Sequence, residues 1–107
     1  MELHLQDQYF KAVQDGTKTI EGRLAKEKYR SLKAGEKITF IADSGETLMK
    51  TIEAIHIFPT FKDAFRVLKY QDAVPGIDNM ENAVKVYESF YPMEEQQKYN
   101  VVFLKLI

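Results

Sequence analysis

Period-two alternation of apolar and polar residues recurs along this chain and constrains its fold more than any other feature. The pattern is clearest in Met1–Leu5 and in Thr19–Leu24, where every second position is apolar or glycine. Such alternation predicts a β-strand with one buried face. Further strands are predicted for three segments, which are 37–42, 47–58 and 99–107. The last of these is apolar on both faces, which favours a central strand or one that closes a barrel.

Helical periodicity separates the strands in two places. Asp7 is predicted to cap a first helix and Gly16 to end it, because glycine adopts the left-handed conformation that follows many helices. A pair of helices is predicted between the fourth and the last strand. Thr60 and Asp63 form a capping box that opens the first of the pair, and Pro92 stops the second. A polar loop is predicted from there to the last strand.

The order of these elements predicts a single domain of the α+β class. Strands surround the helical pair, and the turn Asp43–Glu46 joins two of them as a hairpin. With 107 residues, of which 45% are hydrophobic and 29% charged, the chain has the size and composition of one soluble globular domain. We therefore predict one domain, residues 1–107, in which a small, mostly antiparallel β-barrel is flanked by helices.

Composition excludes several kinds of functional site. The chain has 0 cysteines and 2 histidines, so neither a disulfide nor a thiolate metal site can form, and no zinc-site spacing is present. Neither a phosphate-binding glycine loop nor a nucleophile elbow is found. We therefore expect no metal and no cofactor. No segment approaches the ~20 apolar residues of a membrane span and no secretory signal is recognisable, so we expect a cytoplasmic location without membrane contact.

Positive charge is concentrated in one part of a chain whose net charge is only -1. Residues 17–37 contain seven cations and three acids, a local net charge of +4. The cations are Lys18, Arg23, Lys26, Lys28, Arg30, Lys33 and Lys37. They belong either to a site for an anionic ligand or to an ordinary solvated surface, and composition does not choose between the two.

The most specific chemical feature is Gly16–Arg23, in which two cations, one carboxylate and two hydroxyls lie within eight residues. Arg23 can hold a phosphate or a carboxylate through two parallel hydrogen bonds. Glu21, between two cations, is expected to stay ionised and to accept hydrogen bonds from the amino group of a base. Lys18 can contact phosphate as a point charge or, if desolvated, act as a general base or nucleophile. Alternatively, Glu21 and Arg23 form an exposed ion pair worth ~0–1 kcal/mol.

In a regular strand, the side chain of Lys18 would lie on the face opposite to the side chains of Glu21 and Arg23. Positions that differ by an even number share a face of a strand, and Lys18 lies three positions before Glu21. The three side chains converge only if the chain still turns at Lys18, which the conformational freedom of Gly16 permits.

The pattern Gly16-x-Lys18-x-x-Glu21-x-Arg23 resembles the G-x-K-x-x-E-x-R signature of the ASCH domain family, which is related to the PUA fold. The similarity extends along the chain and includes Tyr9-Phe10, Lys33–Phe40, Phe58-x-x-Phe61, Pro75-Gly76 and Phe90-Tyr91-Pro92. The resemblance implies a PUA-like β-barrel of five or six strands, flanked by helices, with a positively charged cleft that binds RNA or a nucleotide.

Carried over to this chain, the resemblance places the signature residues Lys18, Glu21 and Arg23 in that cleft. Tyr87 and Tyr91 approach it from the late helix and offer a ring on which a base can stack. The resemblance therefore implies ligand-binding roles for these five residues, and it implies RNA, a nucleotide or a nucleoside as the partner.

An enzyme is the alternative that the resemblance leaves open. One branch of similar small proteins hydrolyses the acetyl amide of 4-acetylcytidine with a lysine-activated threonine, and other members are linked to RNA cleavage. Lys18 matches that branch, whereas Glu21 stands where the branch has its threonine, and the later glutamate has no counterpart near Pro75–Ile77. In an amidohydrolase or a ribonuclease, Lys18 and Glu21 would be the catalytic residues and would together activate water. A third hypothesis is a domain that only binds other proteins.

Overall fold

The chain forms five strands and six helices in the computed structural model, which describes residues 1–107. The strands are β1 (Glu2–Leu5), β2 (Ile20–Leu24), β3 (Lys37–Ala42), β4 (Thr47–Phe58) and β5 (Val101–Leu106). The helices are α1 (Asp7–Asp15), α2 (Glu27–Arg30), α3 (Phe61–Ala64), α4 (Tyr70–Ala73), α5 (Met80–Phe90) and α6 (Met93–Tyr99). None of the helices has the length and apolar character that a membrane crossing requires.

The strands form one sheet in the order β1-β3-β4-β5-β2, which curls into a half-barrel. All neighbouring strands are antiparallel except β1 and β3, which run parallel. This arrangement confirms the predicted α+β class and the mostly antiparallel sheet. β5 lies between β4 and β2, as its two apolar faces indicate. The half-barrel has two edges, because β1 and β2 are each paired on one side only.

The side chain of Arg23 links these two edge strands. Arg23 belongs to β2, and its Nη2 donates a hydrogen bond of 2.8 Å to the carbonyl oxygen of His4 on β1. A free strand edge presents backbone groups that need partners. Arg23 satisfies one of them at the place where the half-barrel is open.

Hydrophobic residues form two cores, one on each face of β5. Val102 and Leu104 belong to the first core, which also contains residues of α1, β1 and β3. Val101 and Phe103 belong to the second core, which also contains residues of α3 and α5. Successive side chains of a strand point to opposite faces, so a strand covered on both sides must be apolar throughout. β5 therefore joins the two cores.

Gly22 on β2 allows close packing in the second core. A Cβ atom at this position would lie 2.6 Å from the ring of Phe103 and 3.0 Å from the ring of Tyr87. Carbon atoms pack best at ~3.5–4.0 Å, so any side chain here would push the two rings apart. The strand thus needs glycine between Glu21 and Arg23 for steric reasons.

The helix ends agree with the sequence in part. Gly16 has a φ of 87°, as its predicted place after α1 requires, and the Thr60 hydroxyl accepts a hydrogen bond from the Asp63 N–H (3.1 Å). The prediction that Asp7 caps α1 is wrong, because Asp7 is the first residue inside the helix. Its carboxylate instead accepts a hydrogen bond from the N–H of Ser44 (3.3 Å) in the β3–β4 turn.

The predicted polar loop before the last strand is wrong, because residues 93–99 form α6. Glu, Gln and Lys are good helix formers, so polarity alone does not indicate a loop. Gln96 is fully buried on this helix. Its Oε1 accepts a hydrogen bond from the N–H of Phe61 (3.0 Å), and its Nε2 donates one to the carbonyl of Tyr91 (2.8 Å). Gln96 thereby ties the start of α3 to the end of α5.

Candidate ligand-binding cleft

Lys18 is a buried cation held by three acceptors. Its Nζ donates hydrogen bonds to the carbonyl oxygens of Ile20 (2.9 Å) and Ala73 (2.6 Å). The same atom lies 3.2 Å from Oε1 of Glu21. An ammonium group has three hydrogens. All three are therefore used within the protein, and Lys18 has no donor left for a ligand.

Glu21 is a buried carboxylate with one unused acceptor site. Only 4% of the residue is exposed. Its Oε1 accepts a hydrogen bond from the N–H of Gly22 (3.1 Å) and pairs with Lys18, while its Oε2 accepts one from Nη2 of Arg23 (3.0 Å). A carboxylate offers about four lone-pair sites. Oε2 therefore has room for one further donor.

Arg23 combines protein contacts with free donors. Its Nη2 binds both Glu21 and the carbonyl of His4, and 19% of the side chain is exposed. The strong hydrogen bonds of the guanidinium are made by Nη2, while its other N–H groups have only the Tyr91 hydroxyl within reach. A guanidinium presents five N–H donors in one plane. Arg23 can therefore bind an anionic or carbonyl oxygen without giving up its contacts to the protein.

Burial and neighbouring charges act against each other on the pKa values of these groups. Burial raises the pKa of Glu21, but attraction to Lys18 and Arg23 outweighs it, so this pKa lies below its usual value. Burial likewise opposes the charge of Arg23, yet Glu21 keeps the pKa of the guanidinium above its usual value. The pKa of Lys18 is lowered by burial, against the opposing attraction of Glu21. Glu21 is therefore an ionised acceptor at neutral pH.

Tyr87 presents its hydroxyl edge to the site, while its ring belongs to the core. The ring stacks on Phe61 with 4.5 Å between centroids and packs edge-on against Phe103 at 5.7 Å. Only 6% of the residue is exposed, so its faces are closed to a base. Burial, reinforced by the charge of Glu21, raises the pKa of Tyr87 well above its usual value. The hydroxyl therefore stays neutral and can donate a hydrogen bond.

Tyr91 and Phe90 provide more accessible rings than Tyr87. Tyr91 is half-buried and stacks on Phe61, with 5.5 Å between centroids. Burial raises the pKa of its hydroxyl, which lies close enough to Arg23 and Glu21 for both charges to affect it. Phe90 is 50% exposed. Stacking of a base on an aromatic ring contributes ~1–3 kcal/mol, so an exposed ring beside the site can stabilise a bound ligand.

A single cavity of about 180 Å³ brings together all the residues that the sequence singles out. Its lining includes Lys18, Glu21, Arg23, Tyr87 and Tyr91. His4 of β1 lines it as well, which places the cavity at the opening of the half-barrel. Its volume is below the ~300–1,000 Å³ of pockets that enclose drug-sized ligands. It therefore suits one compact group, such as a single base.

Sequence reasoning does not assign the other residues of the lining to the site, among them Tyr9, Phe90, His4 and Val74. Phe90 could be found from the sequence, because it follows Tyr87 by three positions on α5. Side chains three positions apart lie on the same side of a helix. Tyr9 has no such signal, although its ring centroid lies 5.7 Å from Nζ of Lys18. His4 and Val74 come from β1 and from the residue after α4, which only the tertiary fold brings together.

A curled, mostly antiparallel sheet with a polar cleft at its opening defines a PUA-like domain. The sequence profile of the ASCH domain matches residues 3–107, and the chain belongs to the ASCH family. ASCH domains have a PUA-like fold that is generally linked to RNA binding. This result confirms the family that the Gly16–Arg23 signature indicates. The comparison with curated proteins gives no significant match.

Solved structures of similar proteins share this fold. The crystal structure of hypothetical protein PH0355 matches with a TM-score of 0.86 at 34% identity, over 98% of this chain and 94% of the other. The solution structure of protein PF0455 from Pyrococcus furiosus matches with a TM-score of 0.76 at 30% identity, over 98% and 93%. The ASCH protein from Zymomonas mobilis is 16% identical, with a TM-score of 0.67 over 99% of this chain and 65% of the other. That likeness concerns the fold alone.

Proposed function

We propose that this protein binds RNA or a nucleotide by holding one base in the cleft between β1, β2 and α5. The observation that carries the proposal is a buried, ionised carboxylate with one free acceptor site, next to an arginine with free donors. Nucleobases present N–H donors beside carbonyl or ring-nitrogen acceptors on the same edge. Glu21 supplies an acceptor for such a donor, and Arg23, next to it, supplies donors for such an acceptor.

Glu21 and Arg23 have different roles in this proposal. Oε2 of Glu21 accepts a hydrogen bond from an amino or ring N–H of the base, a bond to a charged group that contributes about 1.5–3 kcal/mol. Arg23 donates from Nε and Nη1 to a carbonyl oxygen of the base or to a phosphate. The hydroxyl of Tyr87 provides a further neutral donor, while Phe90 and Tyr91 supply rings for stacking.

Lys18 acts on the ligand through Glu21. Its three hydrogens bind Ile20, Ala73 and Glu21, so a direct contact with phosphate, as the sequence predicts, would require one of these bonds to break. We assign Lys18 the role of a positioning residue that compensates the charge of Glu21 and fixes the direction of its carboxylate.

Catalysis on an acetylated nucleoside or on RNA is less well supported. A general base needs a free lone pair and a pKa near the working pH. The pKa of Glu21 lies below its usual value, and the amine of Lys18 is bonded through all three hydrogens. Glu21 is therefore suited to holding a ligand and poorly suited to removing a proton from water, while Lys18, although burial lowers its pKa, has its ammonium hydrogens on acceptors of the protein.

Binding is tested by calorimetric titration with the four nucleoside monophosphates and with a short single-stranded RNA of mixed sequence. Arg23→Ala should weaken binding by about 5–150-fold, the equivalent of the ~1–3 kcal/mol of a bidentate contact to a base. Phe90→Ala, at an exposed position, should weaken binding without a change in thermal stability. Unchanged affinity in both variants would overturn the proposal.

Catalysis is tested in parallel with 4-acetylcytidine and with the same RNA, using mass spectrometry. Intact substrates in the presence of measurable binding support a binding protein. Release of acetate or of RNA fragments that disappears in Glu21→Gln would identify an enzyme instead.

A further inference from the structure

A second charged feature lies outside the cleft, where three cations surround one aromatic residue. Lys26 and Lys98 place their Nζ atoms 5.1 Å and 5.2 Å from the ring centroid of Tyr99. Arg30 donates a hydrogen bond from Nη2 to the carbonyl oxygen of Tyr99 (3.1 Å). We call these four residues the Tyr99 cluster. None of them lines the cleft.

The cations of the Tyr99 cluster have no acidic partners. The structure contains four ion pairs, and none of them involves Lys26, Arg30 or Lys98. Both lysines are exposed, and Arg30 keeps the N–H groups of Nη1 free of protein contacts. Like charges gathered at one place repel each other unless an anion joins them. The Tyr99 cluster therefore favours an anionic ligand.

The Tyr99 cluster adjoins the cleft on its Arg23 side. Lys26 follows Arg23 by three residues, so their Cα atoms are at most about 11 Å apart. Tyr29, which lies on α2 next to Arg30, is near enough to raise the pKa of Arg23 and of Tyr91, although burial and Glu21 have larger effects on these groups. A ligand that leaves the cleft past Arg23 therefore reaches the cluster within a short distance.

The cleft alone provides little positive charge. Lys18 is used internally, and Glu21 offsets one cation, so Arg23 is the cleft residue that can contact a phosphate. The whole chain has a net charge of -1 and exerts no general attraction on a polyanion. Strong binding to a nucleic acid chain thus needs a local group of cations outside the cleft.

We infer that the Tyr99 cluster binds phosphates of a single-stranded RNA whose base occupies the cleft. The inference rests on the proposed function and defines its ligand more closely as a polynucleotide rather than a free nucleoside. Lys26, Lys98 and Arg30 contact the phosphates next to the bound nucleotide. The Tyr99 ring holds each lysine side chain by a cation–π contact, which limits the entropy that they lose on binding.

The test measures how RNA affinity depends on salt. Each phosphate contact to a single strand contributes ~0.7 to the slope of log affinity against log salt. Lys26→Gln/Lys98→Gln should therefore make the slope less steep by ~1.4 than in the unmodified protein. Fluorescence anisotropy with a labelled single-stranded RNA of mixed sequence, between about 50 and about 200 mM salt, gives the slope. The matched control is Lys11→Gln/Lys62→Gln, which removes the same charge at exposed residues that neither line the cleft nor belong to the Tyr99 cluster.

The affinity for a nucleoside monophosphate separates this inference from the proposed function. The variant of the Tyr99 cluster should bind the monophosphate as tightly as the unmodified protein, while Arg23→Ala should bind both ligands weakly. A slope equal to that of the Lys11→Gln/Lys62→Gln control would overturn the inference and leave the cleft proposal intact. RNA that binds no more tightly than the monophosphate would also overturn it. Absence of binding to either ligand would overturn both proposals.

Discussion

At the scale of single residues, the buried pair of Lys18 and Glu21 determines how stable the domain is and what its cleft can bind. Replacing Glu21 leaves the charge of Lys18 buried without compensation, which costs about 3–5 kcal/mol, whereas replacing Lys18 leaves Glu21 paired with Arg23. Glu21→Gln should lower the free energy of unfolding by that amount and Lys18→Met by less, as measured by urea denaturation. The double variant should recover part of the Glu21→Gln loss, because it also removes the buried ammonium group and leaves only the partly exposed Arg23 without its carboxylate partner. A Glu21→Gln protein within about 1 kcal/mol of the unmodified protein would contradict this explanation.

The same pair predicts how stability depends on pH. The pKa of Glu21 is lower in the folded than in the unfolded protein, because Lys18 and Arg23 favour its ionised form. Its contribution to stability is therefore complete above the unfolded pKa of about 4.3 and is lost as the pH falls toward the folded pKa. Glu21→Gln should show a weaker acid dependence below pH ~4.3 than the unmodified protein. Parallel curves of unfolding free energy against pH would rule out this role for Glu21.

At the scale of secondary-structure elements, Gly22 couples β2 to the aromatic core beneath the cleft. Gly22→Ala places a methyl group 2.6 Å from the ring of Phe103 and 3.0 Å from that of Tyr87. Overpacking of this kind costs about 1–3 kcal/mol. Displacement of Tyr87 should also weaken ligand binding.

A second substitution separates this steric effect from a change in strand propensity. Phe103→Leu removes the ring atoms that the new methyl group meets. In the Gly22→Ala/Phe103→Leu protein, the penalty of Gly22→Ala should therefore be smaller than in the unmodified background, as thermal melting of the four proteins in this cycle would show. Equal penalties in the two backgrounds would mean that Phe103 does not oppose the methyl group.

The elements also show how far the sequence predicts this structure. β1, β2 and β3 follow from period-two alternation, which is present in each of these segments independently of the rest of the chain. α6 is missed because its single buried side chain, Gln96, is polar, and one of the hydrogen bonds that satisfy it comes from Phe61, which is distant in sequence. The convergence of Lys18 with Glu21 likewise requires the carbonyl of Ala73, fifty-five residues away, as an acceptor. Local pattern therefore predicts the elements, whereas long-range hydrogen bonds complete the site.

At the scale of the whole molecule, the half-barrel is open between β1 and β2, and the cleft occupies this opening. β1 pairs with β3 alone, and Arg23 provides its link to the opposite edge through His4. A ligand bound to Arg23 therefore contacts the residue that holds the two edges together. This arrangement couples occupation of the cleft to the stability of β1, since an element with few partners opens more readily than the central strands.

Arg23→Lys tests this coupling, because a lysine keeps the charge but cannot reproduce the planar set of donors that reaches both Glu21 and His4. Amide hydrogen exchange in β1 should become faster in the variant, while exchange in β5, which is paired on both sides, should not change. Saturating the unmodified protein with the RNA should slow exchange in β1, because ligand binding stabilises the closed arrangement of the edges. Exchange in β1 that responds to neither the substitution nor the ligand would show that the edges are held by the packing of α1 and β3, and that Arg23 serves the ligand alone.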